Sequence, residues 1–487
     1  MNSILKRFNF IFSALFFLII VSYTIGLDIL FFPPGSFNPD TYSHIAVANY
    51  MVSNHFSLRD VHTVGPVIPL LIASIKYFLS LFSSWHIYYD EIIVKCLSFF
   101  CFFVISLTLF SNLKDSRFST FSALIVLFVF LSIFPTQMDV ISLNGEIMSV
   151  SVISLILFFR NKNFEYKHVF FAFLLLICLY IKIQSILLIF LILLLFINDL
   201  IFLRKLIYSL LIIFIGCELI LINFDIGLYA NFMKYISYIN TGHNTPSEGN
   251  LIDVFRWEVY YGNYFYPFFI FIFIVAFFDI KSFKKTNENI FLWLTITLLT
   301  IAIPHRKFDH YILYYIPFLI LFLPKALASF KFYARKPPTT LLIVSLFSVF
   351  LVASKSYIMI KKFSFVTDDL PYIEKYVGPE ARDIFTVVCS RNSKLFVHGW
   401  DYRFYTFFNK PDSGSEVPSL FLNEIDKTQY QNKLVMYNPD FIIDLTSYSG
   451  LWKSPSFKFN SFITDINFIN SYKVIYNQNG LVLYKRV

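Results

Sequence analysis

The chain has few charged residues, and this shortage excludes an ordinary soluble protein. Only 15% of its 487 residues are Asp, Glu, Lys or Arg, whereas 57% are hydrophobic. Mean hydropathy is +0.64, and several apolar runs reach the roughly 20 residues that a helix needs to cross a bilayer. The composition therefore predicts a polytopic α-helical membrane protein.

Cysteine is also scarce, and its distribution argues against a disulfide framework. The chain has five cysteines, which is an odd number, and no two of them have the spacing of a metal-binding pair. Four lie inside apolar segments, and Cys389 stands alone in the C-terminal region. We interpret them as small apolar core residues.

Neither common Gly-rich phosphate loop occurs, and the sequence has no internal repeat. The net charge of +9 would suit a nucleic-acid-binding protein. Most Lys and Arg residues, however, fall in short loops between apolar segments, where they orient a membrane protein. We therefore expect a lipid bilayer and no nucleic acid as partner. No residue pattern requires a cofactor, and the sequence does not decide whether a divalent metal ion takes part.

The loop charges indicate how many of the apolar segments cross the membrane. If segment 66–83 crosses, the basic clusters at Lys114/Arg117 and Arg160/Lys162 face outward; if it lies at the interface, every basic cluster faces the cytoplasm. The prolines at its start and Lys76 in its middle favour the interface. We predict eleven spanning helices, a cytoplasmic N-terminus and an outer C-terminus. The twelve apolar segments lie near 8–25, 66–83, 91–110, 118–134, 141–159, 168–182, 185–203, 205–223, 263–279, 288–304, 309–325 and 338–357.

Two domains are predicted. Residues 1–357 form a transmembrane domain with a first outer loop at 27–90 and a second at 224–262. Residues 358–487 form a small α/β domain outside the membrane, because turns and short strand patterns replace the apolar runs. The first segment, Phe8 to Ile25, lacks a small-residue cleavage site and is predicted to be a retained helix. The chain is predicted to end in a hairpin that turns at Asn479-Gly480.

Two acidic residues are candidates for chemistry on the predicted outer face. Asp40 is either a general base that accepts the proton of a hydroxyl or the N-cap of a helix. His44, one turn later on the same face, either orients Asp40 or helps to bind a metal, or is a solvated helix residue. Glu146, at the outer start of an apolar helix, either complements the helix dipole or is a costly functional acid.

Basic residues supply candidates for binding an anion. Lys182 interrupts an apolar run at a predicted helix break, where it either binds a phosphate or snorkels to the interface. The cluster around Arg306 and Lys307 suits either one anionic ligand, with Tyr311 adding a hydrogen bond, or bulk anionic headgroups. The loop 224–262 suits either a sugar or headgroup or an interfacial helix. Candidates for contacting or orienting the acceptor are His44, His62, Trp257 and Glu258.

The ordered set of these residues resembles the glycosyltransferase C superfamily over roughly residues 8–325. Within it, the chain is similar to the protein O-mannosyltransferases and to the bacterial aminoarabinose transferases of lipid A. Asp40 matches the catalytic acid of the first outer loop, and Glu146 matches the acid of the fourth helix. Lys182 matches the lysine of a broken helix, and Arg306 with Tyr311 matches the basic-aromatic start of a late helix. Gly65-Pro66 to Leu70 matches a lysine-proline-proline-leucine motif without its lysine.

The resemblance implies an inverting glycosyltransferase of the bacterial inner membrane. Its donor is expected to be a sugar on a polyprenyl phosphate such as undecaprenyl phosphate, with Asp40 as the base and Lys182, Arg306 and Lys307 binding the donor phosphate. The acceptor is expected to be lipopolysaccharide, O-antigen, lipid A or a protein, and an O-antigen-modifying glucosyltransferase is one specific case. The alternatives are a lipid-linked glycan flippase, which the missing repeat disfavours, and a non-catalytic envelope scaffold.

Overall fold

A computed structural model gives the architecture of the chain, which folds into two compact units. The first unit comprises Met1–Phe32, Lys95–Gly216 and Ser247–Phe363, and the second comprises Pro33–Val94, Cys217–Pro246 and Ser364–Val487. The structure describes residues 2–30, 39–53, 65–82, 87–116, 118–133, 142–221, 256, 265–278, 289–302, 309–333, 384, 387–388, 393–399, 404, 424–447, 459 and 463–487.

The apolar segments form helices, since a helix pairs its own backbone N–H and C=O groups without help from water. A π-helical turn, Ser22–Gly26, joins the first two helices. Gly26 is needed there, because a Cβ at this position would lie 2.9 Å from a ring carbon of Phe99. The helices of the described part begin and end as follows: α1 Asn2–Val21, α2 Leu27–Leu30, α3 Pro39–Ser53, α4 Val67–Ser80, α5 Ile87–Asp115, α6 Thr120–Ile133, α7 Gly145–Phe159, α8 Lys167–Ile181, α9 Ile186–Leu194, α10 Leu200–Leu221, α11 Tyr266–Phe278, α12 Ile290–Ala302 and α13 Tyr315–Tyr333.

The chain is a helical membrane protein, as predicted. Within the described residues, four helical stretches are long and apolar enough to cross a membrane. Along α10, large apolar side chains lie bare, with Ile201 73% and Ile212 71% exposed, which suits contact with lipid. Other apolar helices have 17 residues or fewer, so the number of eleven crossings stays a prediction. The four stretches are Ile11–Ile29, Tyr89–Asp115, Leu200–Ile220 and Tyr311–Ser329.

In the first unit, α7 and α8 pack side by side as an antiparallel hairpin. The amide oxygen of Asn144 caps α7 by accepting the backbone N–H of Ile147 at 2.9 Å. Helix α8 ends at Ile181, and Lys182 is extended, with φ −158° and ψ 121°. A short 3-10 turn, Ile183–Ser185, then leads into α9. The predicted break at Lys182 is therefore confirmed.

The second unit contains a four-stranded sheet near the C-terminus. Its order is β1-β2-β4-β3, with β1 parallel to β2 and the other neighbours antiparallel. The hairpin between β3 and β4 turns at Asn479 and Gly480, whose φ angles are 51° and 86°, so the predicted Asn-Gly turn is confirmed. The elements are β1 Leu395–His398, α14 Glu424–Tyr437, β2 Phe441–Asp444, α15 Ile466–Asn470, β3 Tyr472–Gln478 and β4 Leu481–Arg486.

Aromatic and aliphatic side chains fill the core of this sheet. Phe459 lies at its centre, with its ring 4.9 Å from that of Tyr484 and 6.3 Å from that of Tyr472. Asp444 is 3% exposed and its carboxylate accepts the backbone N–H of Phe459 at 2.9 Å. His398 is fully buried beside Phe459. Asp444 and His398 therefore both contact the buried Phe459 and form part of the core of the sheet.

Candidate functional site

Three residues singled out in the sequence meet in the first unit. The ammonium of Lys182 forms an ion pair with the Oε1 atom of Glu146. The same ammonium lies 4.9 Å from the centre of the Tyr311 ring, within the range of a cation–π contact. Tyr311 belongs to a 3-10 helix, Asp309–Tyr314, that packs against α7 and leads into α13. Three separate segments of the chain thus converge on one cation.

Local structure explains why these groups meet. Because Asn144 caps α7, Glu146 lies in its first turn, and the break after Ile181 brings Lys182 alongside. Gly145 makes room for the lysine, since a Cβ added there would lie only 3.0 Å from the Lys182 Cδ atom. A side chain at position 145 would therefore push the lysine stem aside by a few tenths of an ångström.

The site is largely removed from solvent. The side chain of Glu146 is 1% exposed and that of Lys182 is 14% exposed. Burial weakens screening, so the pair interacts more strongly than a surface ion pair. An ammonium has three donors, and in the described part of the chain one of them is used, by Glu146. Lys182 therefore keeps donors for a ligand oxygen.

A buried hydroxyl lies next to this pair in the chain. Ser185 is fully buried, and its backbone N–H bonds the carbonyl oxygen of Lys182 at 3.0 Å. Among the described residues, its Oγ atom has no hydrogen-bond partner. A buried hydroxyl costs free energy when it is left unsatisfied. A ligand or a water molecule at this break would satisfy it.

A second polar cluster lies in the second unit, between α3, α4 and the start of α5. The ammonium of Lys76 lies 2.9 Å and 3.1 Å from the two carboxylate oxygens of Asp90. It also donates to the side-chain oxygen of Asn49. All three residues are buried, with at most 6% of their surface exposed. The three helices are thus joined by one buried cation.

A second hydrogen bond joins α5 to α3, the helix that carries Asp40. The hydroxyl of Tyr42 lies 2.8 Å from the Oε1 atom of Glu91, and both residues are buried. Helix α3 begins at Pro39, so Asp40 lies in its first turn and not before it. Tyr42 lies two residues after Asp40 in α3. Its hydrogen bond to Glu91 therefore ties this part of α3 to α5.

The sequence interpretation missed this cluster. Lys76 served there only as an argument that segment 66–83 does not cross the membrane, and Asp90 and Glu91 were not considered. The available signal was the charge of these residues inside or beside apolar runs, where an unpaired charge is costly. Such a charge indicates that a group of opposite sign lies nearby in the fold, without specifying which residue it is.

The other predicted residues are placed only in part. His44 lies in α3 and is half-buried, and the side chain of Asp40 is outside the described part of the structure. Arg306 and Lys307 precede the 3-10 helix of Tyr311 and also fall outside the described part. The remaining predicted residues that lie outside it are His62, Trp257 and Glu258.

Comparisons with known proteins add no identification. No protein-family model matches the chain, and no curated protein matches it either. Within the described residues, no group of three or more His, Cys, Asp or Glu side chains lies close enough together to hold a metal ion. The chemistry of the site therefore has to be argued from its side chains.

Proposed function

We propose that the protein is an inverting membrane glycosyltransferase. It takes a sugar from a polyprenyl phosphate such as undecaprenyl phosphate and transfers it to a cell-envelope acceptor, namely lipopolysaccharide, O-antigen, lipid A or a protein. In this proposal it lies in the bacterial inner membrane with eleven crossings. Its N-terminus is cytoplasmic, and its C-terminal domain is periplasmic.

The observation that carries the proposal is the buried Lys182–Glu146 pair beneath Tyr311. A lysine that retains donors in a poorly screened site suits an oxygen that gains negative charge during a reaction. A departing lipid phosphate is such a group. Glu146 holds the ammonium in place before the donor arrives, and the Tyr311 ring favours the cation from its face.

In the proposed reaction, the acceptor hydroxyl attacks the anomeric carbon of the donor sugar. The bond between that carbon and the phosphate oxygen breaks, and its electron pair leaves with the polyprenyl phosphate. Asp40 accepts the proton of the hydroxyl as general base. Lys182, with Arg306 and Lys307, stabilises the charge on the departing phosphate. Attack opposite the leaving group inverts the configuration at the anomeric carbon.

The proposal is tested by transfer from undecaprenyl phosphate carrying labelled glucose, and in parallel from the aminoarabinose donor, in membranes containing the protein. Asp40→Asn removes the base and should lower the rate by at least roughly 100-fold, since general bases contribute about 10²–10⁴. Asp115→Asn changes an exposed aspartate at the end of α5 and should leave the rate unchanged.

Two results contradict the proposal. One is full activity of the Asp40→Asn protein when it is present at the normal level and folded. The other is the absence of both transfer and release of free undecaprenyl phosphate by the wild-type protein with either donor. Uptake of intact donor without release of its phosphate would favour a flippase.

A further inference from the structure

A cavity of about 630 Å³ lies in the first unit, at the far end of the α7–α8 hairpin. Its walls come from the loop between these helices and the start of α8, and from the segment after α9 and the start of α10. Its volume falls in the range of roughly 300–1,000 Å³ that is usual for small-molecule sites. Lys182 and Glu146 lie at the opposite end of the hairpin. Helix α7 has 15 residues, so the cavity is roughly 22 Å from that pair.

Lys167 is the central cation of this cavity. Its ammonium donates to the backbone carbonyl of Arg160 at 2.5 Å. It also lies 5.5 Å from the centre of the Phe171 ring and 5.7 Å from that of Phe202. These two rings contact each other and Phe196, so the ammonium packs against a cluster of aromatic rings. A carbonyl and two ring faces hold the charge in place without neutralising it.

The charges around Lys167 favour an anion. Burial lowers the pKa of Lys167, and the nearby Arg160 lowers it further, while Asp199 acts in the opposite direction. Asp199 is already engaged, because its Oδ1 atom accepts the backbone N–H of Phe202 at 2.9 Å at the start of α10. Glu165 also lines the cavity but is exposed. A bound anion would relieve the repulsion between the Lys167 and Arg160 cations at this partly buried wall of the cavity.

The remaining basic groups suit a phosphate in particular. Lys205 is exposed and His168 is half-buried, and both line the cavity with Arg160 and Lys167. Arginine binds phosphate oxygens through two parallel bonds, and lysine binds them as a point charge. The cavity is larger than one phosphate requires, and the Phe164 and Tyr166 side chains on its wall offer surface for an attached group.

We propose that this cavity binds a phosphate group carried by a small headgroup or metabolite, independently of the glycosyl transfer proposed above. Such a phosphate has two sources. One is the headgroup of an anionic lipid, since these loops are predicted to lie at the cytoplasmic surface of the membrane. The other is a soluble phosphate ester. Both present the same chemistry to Arg160, Lys167 and Lys205.

The experiment uses the full-length protein in phosphatidylcholine nanodiscs and has two arms. In the first arm, inorganic phosphate and glycerol 3-phosphate are titrated in by calorimetry. In the second arm, nanodiscs also contain phosphatidylglycerol, and the lipid retained by the released protein is counted by native mass spectrometry. The variants are Lys167→Gln and Lys205→Gln. Lys162→Gln is the matched control, because Lys162 is an exposed lysine of the same loop that does not line the cavity.

The expected result is saturable binding in at least one arm, weakened roughly tenfold by either variant, as for loss of one charged contact. Lys205→Gln changes an exposed side chain, so its effect can be read even if Lys167→Gln does not fold. Binding in the first arm alone identifies a soluble ester, and binding in the second alone identifies a lipid headgroup. Absence of saturable binding in both arms overturns the proposal, as does an equal loss in Lys162→Gln.

Discussion

The ammonium of Lys182 lies 4.9 Å from the centre of the Tyr311 ring. The two residues are far apart in the chain, and both fall where a regular helix is interrupted. Lys182 lies at the break between α8 and α9, and Tyr311 lies in the 3-10 turn before α13. Irregular backbone inside a helical membrane protein is tolerated where it is buried in protein or lines a cavity. Their contact therefore joins two interruptions of regular helix inside the first unit.

Replacing Lys182 should separate the stability of the site from its chemistry. Lys182→Met leaves the Glu146 carboxylate buried without its cation, which should cost about 3–5 kcal/mol of unfolding free energy. Lys182→Met combined with Glu146→Gln removes both charges, so most of that stability should return while sugar transfer stays lost. Denaturant titration in detergent and transfer in membranes measure the two effects. Wild-type transfer by the double variant would make the pair purely structural.

Gly145 allows a subtler perturbation of the same lysine. Gly145→Ala places a Cβ 3.0 Å from the Lys182 Cδ atom, so the lysine must move by a few tenths of an ångström. Misplacement of about 1 Å can cost about 100-fold in rate, and we expect transfer to fall by roughly tenfold with little change in stability.

Gly216→Ala is the matched control for this change. Gly216 lies in α10, and a Cβ there would meet no atom within 4 Å. Its transfer rate should stay at the wild-type value, and stability should rise by up to about 1 kcal/mol because alanine favours a helix. Equal transfer rates in the two alanine variants would show that the position of Lys182 does not limit the reaction.

The break at Lys182 and the start of α7 could be predicted from the sequence because each interrupts an apolar pattern. Lys182 breaks a long hydrophobic run, and Asn144 with Gly145 marks a helix start before Glu146. Periodicity and capping are local properties, so they can be read along the chain. The ion pair itself joins residues in different helices, and nothing in the local pattern specifies which acid meets which base.

The Lys76 cluster illustrates the opposite case. Its members are spread over α3, α4 and α5, and each has an adequate local explanation as an interfacial or helix-end residue. Only packing of the three helices brings Lys76 within 2.9 Å of Asp90. The strand order of the C-terminal sheet is equally non-local, although its hairpin was predictable from the Asn479-Gly480 turn. Pairing between residues that are distant in the chain therefore could not be predicted from the sequence.

The hydroxyl of Tyr42 should stabilise the helix that carries Asp40. Tyr42→Phe removes the 2.8 Å bond to the buried Glu91 and should cost about 1–3 kcal/mol of unfolding free energy. Transfer should fall as well, because Asp40 lies two residues earlier in α3. Tyr208→Phe is the control, since Tyr208 is 52% exposed on α10. Equal stability of the two variants, measured by denaturant titration, would contradict a structural role for the Tyr42 hydroxyl.

The predicted interfacial position of segment 66–83 decides whether Glu146 and Lys182 share the outer face with Asp40, and it can be tested by chemical labelling. His86→Cys is introduced after the five native cysteines are replaced by alanine, and Lys114→Cys serves as the control. If the basic loops face the cytoplasm, a membrane-impermeant maleimide added to the outer side should label position 86 in sealed cells. Position 114 should react only after permeabilisation. Labelling of position 86 only from the cytoplasm would mean that 66–83 crosses the membrane, and the eleven-helix topology would be wrong.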